Sequence, residues 1–273
     1  MNISNNIGFC ASISRPNAKP RPVSTNITEK MIGNINEIDV KNDYEKDVLE
    51  IWKKYEKLKI FSNPDFEYRK HPLLPRIVYK DSLLFIGMNP SFRKGSIIPE
   101  NEKNIGFYQT PKDENFKDIS YFEKMKEIAK YCEVDWTHLD LFFIRETSQK
   151  LIEKLSYSNV EFLNAQLKIS FEILERAKPK LIIVSNAFAS EFFGKMKAKH
   201  KGFEKIWKGF DLNFEGKNSS FNYKIGTYEI ELNKKMTPII FSGMLSGQRS
   251  LDIGSFERLK WQTKMILDNE LRK

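Results

Sequence analysis

Four short apolar runs, Ser82–Met88, Leu139–Ile144, Leu181–Val184 and Pro238–Phe241, constrain this chain's fold more than any other feature. Each is too short for a helix and gives way to polar or turn-forming residues, the pattern of strands buried on both faces. Between the runs the apolar spacing is helical. Phe122, Met125, Ile128, Ala129 and Cys132 trace one helix face, behind a capping box of Ser120 and Glu123. Val160, Leu163, Leu167 and Leu174 trace another over 159–177, ended by Pro179. A further helix is predicted from near Ala187, and a closing one over 255–271. This alternation predicts a three-layer α/β/α fold around a central, mostly parallel, four-stranded sheet.

Two segments stand outside the alternation. Residues 1–41 carry the basic, proline-rich stretch Arg15–Pro22 with no apolar periodicity, so a disordered tail is predicted there. A single domain is then expected over 42–273. It opens with a helix over 43–59, on which Val48, Ile51, Trp52, Tyr55 and Leu58 share a face and Asn42 or Asp43 supplies the cap. Residues 200–236 interrupt the pattern. Phe221, Tyr223 and Ile225 alternate, as do Tyr228, Ile230 and Leu232, with Gly226-Thr227 between them, which predicts an inserted β-hairpin.

Composition removes several classes of function. No apolar run approaches the ~18 residues of a membrane span, and no secretory signal opens the chain, so a cytoplasmic protein without a membrane partner is expected. Two cysteines, Cys10 and Cys132, exclude four-cysteine zinc and iron–sulfur sites, and the three histidines are too scattered to suggest a metal centre. No metal or other cofactor is therefore expected. Neither GxGxxG nor GxxxxGK[ST] occurs. The net charge of +9 favours a polyanionic partner, most simply nucleic acid. Lys195, Lys197, Lys199, Lys201, Lys205 and Lys208 form either a phosphate track or a solvated face.

In parallel sheets ligands bind beyond the carboxyl ends of the strands, so the residues following each run are the candidates for chemistry. The first run ends in Gly87-Met88-Asn89-Pro90-Ser91. Gly87 permits close approach, and Asn89 either presents a fixed amide that can orient a water or simply starts a turn. In the second, Asp140 is a carboxylate among apolar neighbours, which binds a ligand or pairs with Arg145. The third, Ser242-Gly243-Met244-Leu245-Ser246-Gly247-Gln248-Arg249, offers N–H groups and hydroxyls suited to phosphate. Met244 and Leu245 in its middle are either an exposed wedge or part of the core.

Taken together, these segments resemble the uracil-DNA glycosylase superfamily, nearest its mismatch-specific and single-strand-selective branches. Leu83–Ser91 (LLFIGMNPS), followed by a loop with Gly106-Phe107-Tyr108, is similar to motif A. Leu181–Phe193 is similar to the strand–helix unit that follows, and Pro238–Arg249 to motif B, over roughly residues 80 to 271 in all. The resemblance implies a monomeric DNA glycosylase that needs no cofactor and releases a base from DNA. It implies Asn89 as the residue that positions water. Gly87, Met88, Phe107 or Tyr108, and Asp140 would hold the extruded base. Leu245 would be the wedge, and Ser91, Ser242, Gly243, Met244, Ser246, Gln248 and Arg249 would contact DNA. The chain departs from the family where motif B begins, since Phe241 or Ser242 stands in place of His, and motif A lacks the Asp of the most active branch. An ionised Asp140 would suit a base with an exocyclic amine, such as a modified cytosine of phage DNA, which fits a role in defence as well as repair. A catalytically silent module of the same fold that senses DNA is the alternative.

Overall fold

The chain opens on a short strand, β1 (Glu37–Asp39), and runs straight into helix α1 (Val40–Lys54). Asp39 rather than Asn42 or Asp43 caps that helix, its side chain accepting from the Asn42 N–H at 3.0 Å. Val40, Tyr44, Val48 and Trp52 form its buried stripe. This computed structural model describes residues 36–92, 95–109, 120–193, 210, 212–217, 219–247 and 250–271. The tail expected over 1–41 therefore lies almost wholly outside the described residues, as do the lysines from 195 to 208, Gln248 and Arg249. From Asn36 onward the chain clusters as one unit.

The remaining elements are β2 (Leu73–Pro75), β3 (Ile77–Tyr79), β4 (Leu83–Gly87), β5 (Gly106–Tyr108), α2 (Ser120–Cys132), β6 (Trp136–Asp140), α3 (Gln149–Ser158), α4 (Val160–Ala177), β7 (Leu181–Val184), β8 (Phe221–Asn222), β9 (Thr227–Leu232), β10 (Lys235–Phe241) and α5 (Ile253–Leu271). The main sheet has six strands in the order β6-β4-β7-β10-β9-β8, not the four expected. Three predicted strands are present as β4, β7 and β10, whereas the second lies at Trp136–Asp140 and shares only Leu139 and Asp140 with the run predicted. The four run parallel: β4 pairs with β6 and β7, and β7 with β10. The inserted hairpin supplies the other two, antiparallel along one edge. Asn233 and Lys234, at φ 48° and 65°, make the two-residue turn that folds β9 back onto β10. Two small sheets, β1–β3 and β2–β5, are not hydrogen-bonded into the main one.

Alternation along β4 assigns the two faces of the sheet. Leu84 and Ile86 join Val48, Trp52, Phe162 and Leu167 on the side of α1 and α4. Leu83 and Phe85 join Phe122, Ile128, Phe256 and Ile266 on the side of α2 and α5. Helices thus cover both faces. Among the described residues, no helix is long and apolar enough to cross a membrane.

Three local expectations need correction. The second strand ends at Asp140 and not at Ile144. Leu141 to Ile144 are buried beyond the strand end: Leu141 N donates to Gly87 O, Phe142 N to Met88 O, and Phe143 N and Ile144 N to Gln166 Oε1. Hydrophobicity there records burial, not strand pairing. Of the helix expected from near Ala187, the described residues show a 3-10 turn, Ala189–Phe192, preceded by Asn186, whose Oδ1 accepts from Phe188 N and Ala189 N; residues 194–209 lie outside the described residues. Leu245 is 2% exposed and sits in the cluster with Leu83, Phe85 and Phe256, so in this structure it is core rather than a wedge. Truncation to Leu245→Ala is therefore expected to cost about 2–5 kcal/mol by urea denaturation. A loss near zero would return the side chain to the surface.

Candidate active site

The chain leaves β4 for β6 on one side and returns to β7 on the other, so the order reverses at β4. In open parallel sheets ligands bind outside the strand ends at such a reversal. Asn89 stands there, two residues past the end of β4. Its Nδ2 lies 2.6 Å from Glu146 O, 3.1 Å from Pro90 O and 3.3 Å from Ile144 O. The amide NH2 is thus fixed by backbone carbonyls. Its Oδ1 makes no hydrogen bond among the described residues and is left as an acceptor of defined direction.

The loop that holds Asn89 is itself anchored. Glu146 N donates to Pro90 O at 2.8 Å. The Glu146 carboxylate takes Arg69 Nε at 2.8 Å and Ser148 N at 2.8 Å. Arg69 and Glu146 are both buried, and each carboxylate oxygen has a donor. A buried pair satisfied in this way fixes geometry more than it adds stability.

Beside Gly87 lies a second polar group. The strand register sets Gly87 against Asp140. A Cβ on Gly87 would stand 2.1 Å from Asp140 Oδ1, 3.0 Å from His138 Nε2 and 3.2 Å from the Tyr121 hydroxyl. Glycine is needed here because a carboxylate occupies the space a side chain would fill. The His138 ring is held between two phenols, with Tyr108 at 2.9 Å from Nδ1 and Tyr121 at 3.3 Å from Nε2. His138 Nε2 and Asp140 Oδ1 are 3.9 Å apart. Burial governs the protonation of all four. It pushes the Asp140 carboxyl up to about 8, holds His138 down to about 3, and raises both tyrosines above their ordinary range. At neutral pH the cluster carries no net charge, and Asp140 is a carboxylic acid that both donates and accepts. Desolvation thus works against the ionised form of Asp140 expected from the sequence.

The other predicted residues divide. Tyr108 reaches this cluster, whereas Phe107 faces the α1 side, with Lys41 Nζ 5.9 Å from its ring centre. Met88 is buried in the core, so only its backbone remains for a ligand. Ser91 is exposed, 3.3 Å from the Thr147 hydroxyl. Arg145 does not pair with Asp140; it binds Glu102 Oε2 at 2.7 Å and His71 O at 2.7 Å. Ser242 N donates to Val184 O and its hydroxyl to Gly243 O, which ties the start of the loop back to the sheet. Met244 O accepts from Leu251 N, and Gly247 takes a positive φ of 81°. Gly243 has Leu251 Cδ2 3.0 Å from where its Cβ would stand, and Ser246 is half-buried beside Leu245.

Sequence reasoning missed His138, Tyr121, Arg69 and Glu146. His138 was within reach, because it lies two residues before Asp140 on one strand and so shares its face. Tyr121 and Arg69 come from distant segments, and nothing local marks them. In comparisons with known proteins, the chain matches no family profile and no curated protein.

The two buried groups act oppositely on stability. The folded chain keeps a proton on Asp140 that the unfolded chain releases above about pH 4, so this contribution is complete below pH 4 and gone by about pH 8. His138 refuses a proton that the unfolded chain accepts below 6.5, so its contribution is absent below about pH 3 and grows toward 6.5. The slopes offset between about pH 4 and 6.5, which leaves a net fall of about 2 kcal/mol from 6.5 to 8. Asp140→Asn is expected to be flat from pH 6.5 to 8 and to rise from 4 to 6.5, as read by urea denaturation across that range. A second expectation concerns the anchor. Glu146→Ala strands the Arg69 charge and is expected to cost about 3–5 kcal/mol, whereas Arg69→Met with Glu146→Leu together should cost far less.

Proposed function

We propose that this protein is a DNA N-glycosylase, which takes an extruded base beside Gly87 and hydrolyses its N-glycosidic bond to leave an abasic site. The observation that carries the reading is Asn89, with its NH2 tied to backbone carbonyls and its Oδ1 left open at the strand reversal. When the bond to the base breaks, the sugar becomes an oxocarbenium-like centre. Such a centre needs a water already in place more than it needs a strong base. An amide oxygen that cannot turn holds one water proton and aims the lone pair. The departing base takes the bonding electrons, and a donor must meet the charge. Asp140 as a neutral acid offers an O–H, which supports a leaving group stabilised without the motif B histidine. No metal or organic cofactor is needed for these steps.

The same acid bears on the substrate. Its O–H can donate to cytosine N3 while its carbonyl accepts from the exocyclic amine, and it can equally face uracil O4 and N3–H. A pyrimidine is the substrate class, with modified cytosine of foreign DNA the case that would make this a defence enzyme. Burial of Leu245 favours a base that is already unpaired, because no wedge stands ready to replace it in the stack. The excess positive charge supports DNA as partner.

The test is to incubate the protein with single- and double-stranded oligonucleotides carrying uracil, cytosine, 5-methylcytosine or 5-hydroxymethylcytosine and to assay for alkali-labile sites. Release from single strands is expected to exceed that from duplexes. Asn89→Ala should lower single-turnover release by about 100-fold or more while leaving DNA affinity nearly unchanged. DNA binding with no abasic site on any substrate would instead favour the silent sensing module. Release at the wild-type rate by Asn89→Ala would remove Asn89 from the chemistry.

A further inference from the structure

The strand order that reverses at β4 also parts the chain to opposite faces of the sheet. After β4 the next helix, α2, packs on the face of Leu83 and Phe85. After β7, Phe192 and Phe193 pack on the face of Leu84 and Ile86. The ligand position of an open parallel sheet therefore lies between the ends of β4 and β7. Asn89 stands on the β4 side of it. Asn186 stands on the β7 side. Ser185 N donates to Ile86 O at 3.0 Å, which continues the pairing of the two strands past Val184 and brings Asn186 level with Met88. Ser242 N donates to Val184 O at 2.9 Å, so the end of β10 forms the other flank.

Asn186 is the chemical counterpart of Asn89. Its Oδ1 accepts from Phe188 N at 2.9 Å and Ala189 N at 3.0 Å. Two backbone N–H groups can bond only to the oxygen of an amide, so the orientation of the side chain is fixed. Its NH2 is turned away from those groups and makes no hydrogen bond among the described residues. The residue is 7% exposed, and Nδ2 is not one of the described side-chain atoms sealed from solvent without a partner, so the donor keeps a path to water. A donor left open in so enclosed a place costs stability until something accepts from it. A loop that required only a cap would be served as well by Asp, which has no donor to leave unmet. Asn89 leaves an acceptor open and Asn186 a donor, both without formal charge. An enclosed neutral donor suits a carbonyl better than a phosphate, whose charge would have to shed its water.

We propose that Asn186 Nδ2 donates to the O2 carbonyl of the extruded pyrimidine. This contact rests on the reading of the protein as a glycosylase. When the bond between C1′ and N1 breaks, its electron pair goes to the base and is delocalised from N1 onto O2. A donor fixed at O2 therefore binds the transition state more tightly than the intact nucleotide. The water held by Asn89 forms the new bond to C1′, and the proton it gives up ends on the released base. O2 is common to cytosine and uracil, so Asn186 admits pyrimidines as a class, while Asp140 meets the edge at N3 and position 4.

Two variants separate this role from capping. Asn186→Asp keeps the cap oxygen and removes the donor, whereas Asn186→Ala removes both. Single-turnover release is measured on single-stranded oligonucleotides carrying uracil or 5-methylcytosine, and on the same oligonucleotides with sulfur, a weak acceptor, in place of O2. Melting of each protein is measured alongside. Both variants should slow release about 100-fold, while only Asn186→Ala lowers the melting temperature. Sulfur should slow the wild type about tenfold more than it slows either variant. That ratio is taken within one protein, so it holds for a variant that is partly unfolded. Release by Asn186→Asp at the wild-type rate, or an equal sulfur effect in wild type and variants, would overturn the proposal. If the wild type releases no base, the glycosylase reading fails on its own, and affinity for the same oligonucleotides decides the contact. A wild-type preference for oxygen over sulfur that both variants lose would keep it, and no such preference would remove it.

Discussion

The candidate site depends on β4. This strand is hydrogen-bonded in parallel on both edges and buried at all five residues. A one-residue slip of a strand reverses which face each side chain meets, and because both faces are core here, the fit of side chains into the two packed layers rather than polarity holds the register. That register sets Gly87 against Asp140. It also brings the chain out of the sheet where the strand order reverses, which places Asn89. The open acceptor and the buried acid are thus two results of one pairing.

The order of the elements was legible in the sequence because β4 and β7 are uninterrupted apolar runs, β10 ends in one, and an apolar run begins at the end of β6. Their edges were less so. Leu141 to Ile144 read as strand because the sequence reports burial, and burial in an irregular segment past a strand end looks the same as burial within the sheet. The six-stranded count was missed at Asn233-Lys234, where two positive φ values join the insertion to the last parallel strand. Neither residue there is a glycine, so the turn carries a weak signal.

The site was legible in a similar, partial way. Asn89 and Asp140 stand at strand ends, where a polar residue after an apolar run is conspicuous. The ionisation of Asp140 was not legible, because it depends on Tyr108, Tyr121 and His138, which come from three separate elements and leave the carboxyl little water. The anchor of Asn89 was hidden for the same reason: Arg69 and Glu146 are 77 residues apart and meet only in the folded chain. Leu245 was open to two readings in the sequence, wedge or core, because an apolar residue in a polar loop fits both; the loop folds back so that the leucine completes the core between the sheet and α5.

The edges of the main sheet carry a consequence of their own. An unpaired edge strand is a template on which another chain can add. Among the described residues, β6 is one edge, yet four of its five residues are buried and β2 and β3 pack against it. Leu73 N takes up Phe143 O just beyond it. The opposite edge, β8, is two residues long. Among the described residues, one edge is thus covered by packing and the other ends in a very short strand, two of the means by which a sheet discourages the addition of a further strand.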